Sequence, residues 1–169
     1  KRAARSEITR SRVTAKRDSH FSEEKNAEFV EFCRSTGLRR SEITTLRGDQ
    51  LIEKDGEYYI EVVGKGGRFR IITICGDVAL VVRKMQEAGT GKVWEKVPSN
   101  ADIHDFRAQY ASRIYSSYAR PIEKIPRKER YICRKDKAGI VYDKAAMLEA
   151  SKALGHNRIS VVGEHYLRF

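Results

Sequence analysis

The sequence predicts an α+β fold, mainly helical, with one small antiparallel sheet or hairpin. Three observations lead there. Two β-rich runs, EYYIEVV (57–63) and RFRIITIC (68–75), are separated only by GKGG (64–67). Phe106, Tyr110, Ile114 and Tyr118 recur every fourth residue, which draws an apolar stripe along a helix. The Ala-rich run DKAAMLEASKALG (143–155) has Asp143 at its head and Gly155 at its foot, the polarity of a capped helix. At 169 residues and 40% hydrophobic composition, the chain is long enough to bury one sizeable core.

Residues 1–20 are polar, basic and weakly periodic, and read as a linker or as the start of the domain that fills 21–169. HFSEEKNAEFVEFCRSTG predicts a helix from Ser22 to Gly37 that packs inward through Phe29, Val30 and Cys33. RRSEITTLRGDQLI predicts a second, from about Ser41 to Gly48. The glycines of GKGG supply turn geometry and leave Lys65 at or near the hairpin tip. DVALVVRKMQEAG then reads as helix, with Asp77 near its start, Leu80, Val81, Lys84 and Met85 at helical spacing, and Gly89 at its end. TGKVWEKVPSNAD is loop, with Trp94 in the core or an interface. HDFRAQYA (104–111) opens the striped helix and sets His104 and Arg107 on one face. Pro121 and Pro126 end that helix and flank a basic connection. RYICRKDKAGIVYD suits a small hairpin, and the tail HNRISVVGEHYLRF returns to short elements. Tyr110, Tyr118 and Tyr142 occupy packing positions, which leaves Tyr166 the distinctive tyrosine.

The formal charge of +11 is gathered in patches. Residues 1–20 hold seven Lys/Arg against two acidic residues, and 120–137 hold eight against three. Clustered positive charge points to a polyanion, with nucleic acid the first candidate. No long apolar segment or basic amphipathic helix favours a membrane partner. Cys33, Cys75 and Cys133 are widely separated, with no CxxC pair or His/Cys cluster, so no zinc site or other cofactor is expected. Cys33 and Cys75 lie in apolar runs and are expected to be buried thiols in a cytoplasmic protein. Candidate phosphate contacts are Arg2, Arg5, Arg10, Lys16, Arg17, Arg40, Arg68, Arg127, Lys128, Arg130, Arg134 and Arg158. Such contacts position DNA without reading its sequence.

Two arginines and a lysine converging on one point would suit a phosphate oxyanion. A tyrosine in that pocket could attack phosphorus, because clustered cations favour its phenolate. Spacing alone leaves open whether Arg39, Lys65 or His156 joins His104 and Arg107.

Four ordered segments carry a resemblance. TGLRRSEI (36–43), VGKGGRFRIITI (63–74), HDFRAQYA (104–111) and ALGHNRISVVGEHY (153–166) resemble the active-site segments of the tyrosine recombinases, the family of phage and conjugative-transposon integrases. The resemblance covers most of residues 36–166. It implies a mainly helical catalytic domain whose β-hairpin carries a catalytic Lys. It assigns Arg39 and Arg107 to the phosphate oxygens, with Glu42 the acidic neighbour of Arg39. Lys65 becomes the acid for the leaving oxygen, His104 the general base, His156 a further phosphate contact and Tyr166 the nucleophile. The chain departs from the family pattern in the short interval from Lys65 to His104 and in three further ways. Ala108 stands where the family has a His, the interval from His156 to Tyr166 is one residue longer, and residues 120–142 read as a basic insertion facing DNA.

The implied activity is cleavage and rejoining of DNA strands through a covalent 3′-phosphotyrosyl link, as in integration and excision of mobile elements, with no metal or ATP. Implied partners are double-stranded DNA at specific recombination sites, other protomers in a synaptic dimer or tetramer, and accessory DNA-bending proteins. A bacterial, nucleoid-associated setting and N-terminal DNA-binding domains outside this sequence are expected. The alternatives are a type IB topoisomerase and a non-catalytic DNA-binding protein of the same fold.

Overall fold

In the computed structural model, which describes residues 21–156, 158–167 and 169, helices alternate with two small sheets. The basic candidates Arg2, Arg5, Arg10, Lys16 and Arg17 lie outside the described residues, and for Lys65 only the backbone is described. Chain order is α1 (Ala27–Thr36), α2 (Arg40–Thr45), β1 (Leu51–Lys54), β2 (Glu57–Val63), β3 (Phe69–Thr73), α3 (Val78–Ala88), α4 (Ile103–Tyr118), β4 (Arg130–Ile132), β5 (Val141–Asp143), α5 (Lys144–Leu154) and α6 (Ile159–His165). The fold is therefore mixed α+β, with an antiparallel β1-β2-β3 sheet and a separate antiparallel β4-β5 pair.

Several elements follow from their caps. The Asp77 carboxylate accepts from the Leu80 amide at 3.0 Å and starts α3, and Gly89 follows its end. Asp143 accepts from the Ala145 amide at 3.0 Å and starts α5, which stops at a left-handed Gly155. Asp102 starts α4 by accepting from the Asp105 amide at 3.1 Å.

Two helix starts differ from expectation. Ser22 caps a turn instead of a helix, since its hydroxyl accepts from the Lys25 amide at 3.3 Å and α1 begins only after Asn26. The second helix begins after Arg39, not at Ser41. There the Glu42 carboxylate reaches back to accept from the Arg39 amide at 2.7 Å, which fixes the first turn at Arg40.

The larger sheet adds β1, a strand the sequence pattern did not separate from the segment before it. Register pairs Leu51 with Ile60 and Ile60 with Ile72, so these side chains share one face. Ile60, Val62 and Ile72 are buried, while Val63, Phe69 and Ile71 face outward and are exposed. Arg70 sits opposite Val62, on the inward face.

Helix α4 packs against both α1 and α5. Its Phe106 joins the cluster of α1, α2, α3 and the larger sheet, and its Ala108, Tyr110, Ala111 and Ile114 join that of α5 and α6. Ala108 and Ala111 on α4 and Ala146 and Ala150 on α5 are all fully buried, and such small residues let helix axes approach closely. Gly37 is needed where α1 ends. Its φ is +63°, and a Cβ there would enter the Tyr110 ring. The expected stripe stops one turn early, because Tyr118, in the last turn of α4, is exposed. Cys33 is buried as expected, Cys75 is only half-buried, and Cys133 is buried as well. Trp94 stands edge-on to Phe29 and Phe32 at the side of the first cluster. No helix among the described residues is long and apolar enough to cross a membrane.

Asp143 ties the basic 120–142 segment to the helical core. The Arg120 guanidinium grips both carboxylate oxygens at 2.9 and 3.0 Å, and the Arg120 amide adds a third bond. That grip lowers the Asp143 pKa to about 2. The unfolded chain would protonate this carboxyl near the ordinary Asp value of about 3.9. Its stabilisation is thus fully present above that value and is lost as pH falls from about 4 towards 2. Asp143→Ala is expected to cost about 1–2 kcal/mol in urea unfolding at pH 7 from the missing cap, and to flatten the acid loss of stability across that window.

Candidate active site

The C-terminal end of α5 is where the chemistry-bearing residues meet. A helix end leaves its last carbonyls unsatisfied and carries partial negative charge. The Leu154 carbonyl is such a group, and three arginines from three elements donate to it. Arg107 of α4 reaches it through Nη2 at 3.0 Å, Arg70 of β3 through Nη1 at 2.5 Å, and Arg39 at the start of α2 through Nη2 at 3.4 Å. Gly155 makes room for this approach. Its φ is +77°, and a Cβ there would stand 2.6 Å from Arg70 Nη1.

One carboxylate partly offsets the crowded charge. Glu42 Oε1 accepts from Arg70 Nη2 at 2.7 Å and from the Arg39 amide, while Oε2 lies 3.9 Å from Arg39 Nη1. Glu42 and Arg70 are both nearly buried, so the pair is screened little by water. Burial pulls the Arg70 pKa below its ordinary value, with Glu42 opposing that shift. Burial also draws Arg107 down to about 10, still cationic at neutral pH. Three guanidinium charges less one carboxylate leave two net positive charges among these four side chains.

Tyr166 lies against this cluster. It follows α6, is 7% exposed, and its ring centre is 4.7 Å from that of His104 and 5.2 Å from that of His156. The Arg107 guanidinium carbon is 5.7 Å from the same ring centre, within cation–π range. His165, one residue earlier, faces Glu164 at 3.6 Å instead, so the extra residue in this interval brings Tyr166 and not His165 to the pocket. His156 is half-buried, and its pKa is pushed down to about 4, first by burial and then by Arg107, Arg39, Arg70 and His104. It is therefore a neutral imidazole at pH 7. Among the described residues, Arg107 Nε and Nη1 and His156 Nε2 are buried with no hydrogen-bond partner. Buried donors left this way are costly, and they are the groups an incoming anion would satisfy.

The structure thus brings together Arg39, His104, Arg107, His156 and Tyr166, and adds Arg70, which the sequence reading did not single out. A signal for Arg70 existed. It alternates in register with buried Ile72, and an arginine on the inward face of a strand needs a buried polar partner. The Lys65 backbone lies in a 3₁₀ turn over Lys65–Gly67, with Gly66 at φ +79°.

The other basic candidates are scattered. Arg68, Arg127, Lys128, Arg134 and Arg158 are exposed. Arg40, at the start of α2, is occupied with the loop before α4, donating to the Pro98 carbonyl at 2.9 Å and the Ala101 carbonyl at 2.6 Å, which fixes the approach to α4. Arg130 donates through Nε to the Ile125 carbonyl at 3.1 Å. Among the described residues, no group of three or more His, Cys, Asp or Glu side chains is arranged to hold a metal ion.

Removing Glu42 would leave the arginines without their carboxylate. Glu42→Ala is expected to cost about 3 kcal/mol in urea unfolding, the usual result of breaking a buried ion pair from one side. Gly155→Ala forces a left-handed residue against Arg70 and is expected to cost at least about 1–2 kcal/mol. A loss under a few tenths of a kcal/mol in either variant would contradict this description of the pocket.

No protein-family model, curated protein or solved structure matches this chain.

Proposed function

We propose that this chain is the catalytic domain of a tyrosine-type site-specific DNA recombinase, which cuts and rejoins DNA strands through a covalent link to Tyr166. The observation that carries the reading is the placement of the Tyr166 ring beside His104, His156 and Arg107, where Arg39 and Arg70 share the Leu154 carbonyl with Arg107. The ordered resemblance of the four sequence segments to the integrase family supports it.

A DNA phosphodiester carries one negative charge, and a second develops as a phenol oxygen adds to phosphorus. The two net positive charges of the Arg39, Arg70, Arg107 and Glu42 group match that more highly charged state. Such matching favours the transition state over the ground state. The Tyr166 oxygen forms a bond to phosphorus as the bond to the 5′ oxygen breaks, and His104 takes the phenol proton. Lys65 supplies a proton to the leaving 5′ oxygen. Arg39 and Arg107 hold the non-bridging oxygens, and His156 donates as a neutral imidazole. The product is a 3′-phosphotyrosyl link and a free 5′-hydroxyl. Attack by the 5′-hydroxyl of another strand reverses the chemistry on a new partner and frees Tyr166. The number of phosphodiester bonds is unchanged, so no ATP is consumed.

In this reading the exposed Arg68, Arg127, Lys128, Arg134 and Arg158 contact the DNA backbone. Further protomers, specific recombination sites and DNA-bending proteins complete the assembly.

A nicked duplex that loses the fragment carrying the attacking 5′-hydroxyl traps the covalent intermediate. The wild-type chain is expected to form a protein–DNA adduct mapping to Tyr166, Tyr166→Phe none, and Arg107→Ala about 10²–10³-fold less per unit time. Exchange between two duplexes marks a recombinase, and religation within one duplex marks the topoisomerase alternative. Tight duplex binding without any adduct would leave only a DNA-binding protein of this fold and overturn the proposal.

A further inference from the structure

Lys137 belongs to the basic 120–142 segment, yet its ammonium group points into the protein. Its Nζ donates to the Gly163 carbonyl at 2.8 Å and to the Leu167 carbonyl at 2.8 Å. These two oxygens bracket Tyr166. One lies near the end of α6, and the other belongs to the residue immediately after the tyrosine. Both are the kind of acceptor that a helix end leaves open, and a lysine there also complements the negative end of the helix.

The neighbouring contacts show why such a clamp matters. Helix α6 has seven residues and is too short to hold itself in place. It leans on the same segment and on α5, since a Cβ at Gly163 would stand 2.8 Å from Met147 Cε and 3.3 Å from the Tyr131 ring. Beyond α6, the Tyr166 and Leu167 amides both donate to the Val162 carbonyl at 3.0 Å. The tyrosine is therefore held from behind by a hairpin whose turn, Lys135–Lys137, supplies an ammonium group to its flanking carbonyls.

We infer that Lys137 is a positioning residue for Tyr166, and that the 120–142 segment serves to seat the reactive tyrosine as well as to present charge to DNA. This inference rests on the proposed strand-cleavage chemistry for its consequence, but the clamp itself is a property of the free protein. Lys137 touches neither the phosphate nor the reacting atoms in this account.

The test compares the wild-type chain with Lys137→Met, which keeps most of the side-chain length without the charge, and Lys137→Arg, which keeps the charge. Amide hydrogen exchange of the free proteins is read at Tyr166 and Leu167, with Ala108 and Ala111 of α4 as the internal control for folding. Lys137→Met is expected to speed exchange at Tyr166 and Leu167 about tenfold or more, with α4 unchanged, and Lys137→Arg to restore most of the protection. On a nicked duplex, Lys137→Met should slow single-turnover adduct formation by a similar factor while leaving duplex affinity and its salt dependence unaltered. Unchanged exchange in Lys137→Met would overturn the clamp. So would a loss of duplex affinity with a shallower salt dependence, which would make Lys137 a phosphate contact. If the wild-type chain forms no adduct at all, the proposed function fails, and the exchange comparison still decides the clamp.

Discussion

The Leu154 carbonyl is the point on which this structure turns. Arg39, Arg70 and Arg107 come from a helix start, a strand and a second helix, and no short-range rule would place them together. What gathers them is the open acceptor at the end of α5, made reachable by a residue without a Cβ at position 155. Mutual repulsion would drive such a group apart in water. Here the arginines are held because one carboxylate, Glu42, is shared between Arg70 and Arg39, and because all three donate to the same carbonyl. The result is a preorganised cationic pocket that does not have to assemble when an anion arrives.

The rest of the fold serves that point. Helix α4 bridges the two halves of the core, with Phe106 in one cluster and Tyr110 and Ile114 in the other. Any shift of α4 would therefore move Arg107 and His104 together. Arg40 pins the loop that leads into α4, and Asp143 both starts α5 and anchors the preceding basic segment through Arg120. That segment returns to hold the far side of Tyr166 through Lys137. A region that reads as surplus charge along the chain is thus partly structural, with exposed Arg127, Lys128 and Arg134 on its outer side.

Much of this was legible in the residues, and the limits have physical causes. Caps announced α3 and α5, because Asp77 and Asp143 have carboxylates at the right distance from an amide and little competition. Ser22 misled because a turn used its hydroxyl, while α2 starts within a residue of Ser41, fixed by the bond from the Arg39 amide to Glu42. The GKGG turn, the hairpin of 130–143 and the apolar stripe of α4 were readable from period and turn chemistry, although Tyr118 falls past the edge of the core. Strand β1 is only four residues long and owes its form to pairing with β2, which no local pattern records. In the candidate site, five of the six expected side chains have described positions, and all five meet. Arg70 and the Leu154 carbonyl were not foreseen. One needed the strand's inward face to be taken seriously for a charged residue, and the other is a backbone atom whose role depends on three distant partners.

His156 gives the most direct measure of the central claim, because its imidazole sits beside the three arginines and titrates against their charge. Following the ring resonances of His156 by NMR across pH, in the free protein and then with inorganic phosphate, reads the potential at the centre of the cluster. The expected pKa is close to the value of about 4 set by burial and by Arg107, Arg39 and Arg70, rising when phosphate binds and offsets their charge. An ordinary histidine titration near 6.5, unmoved by phosphate, would contradict it.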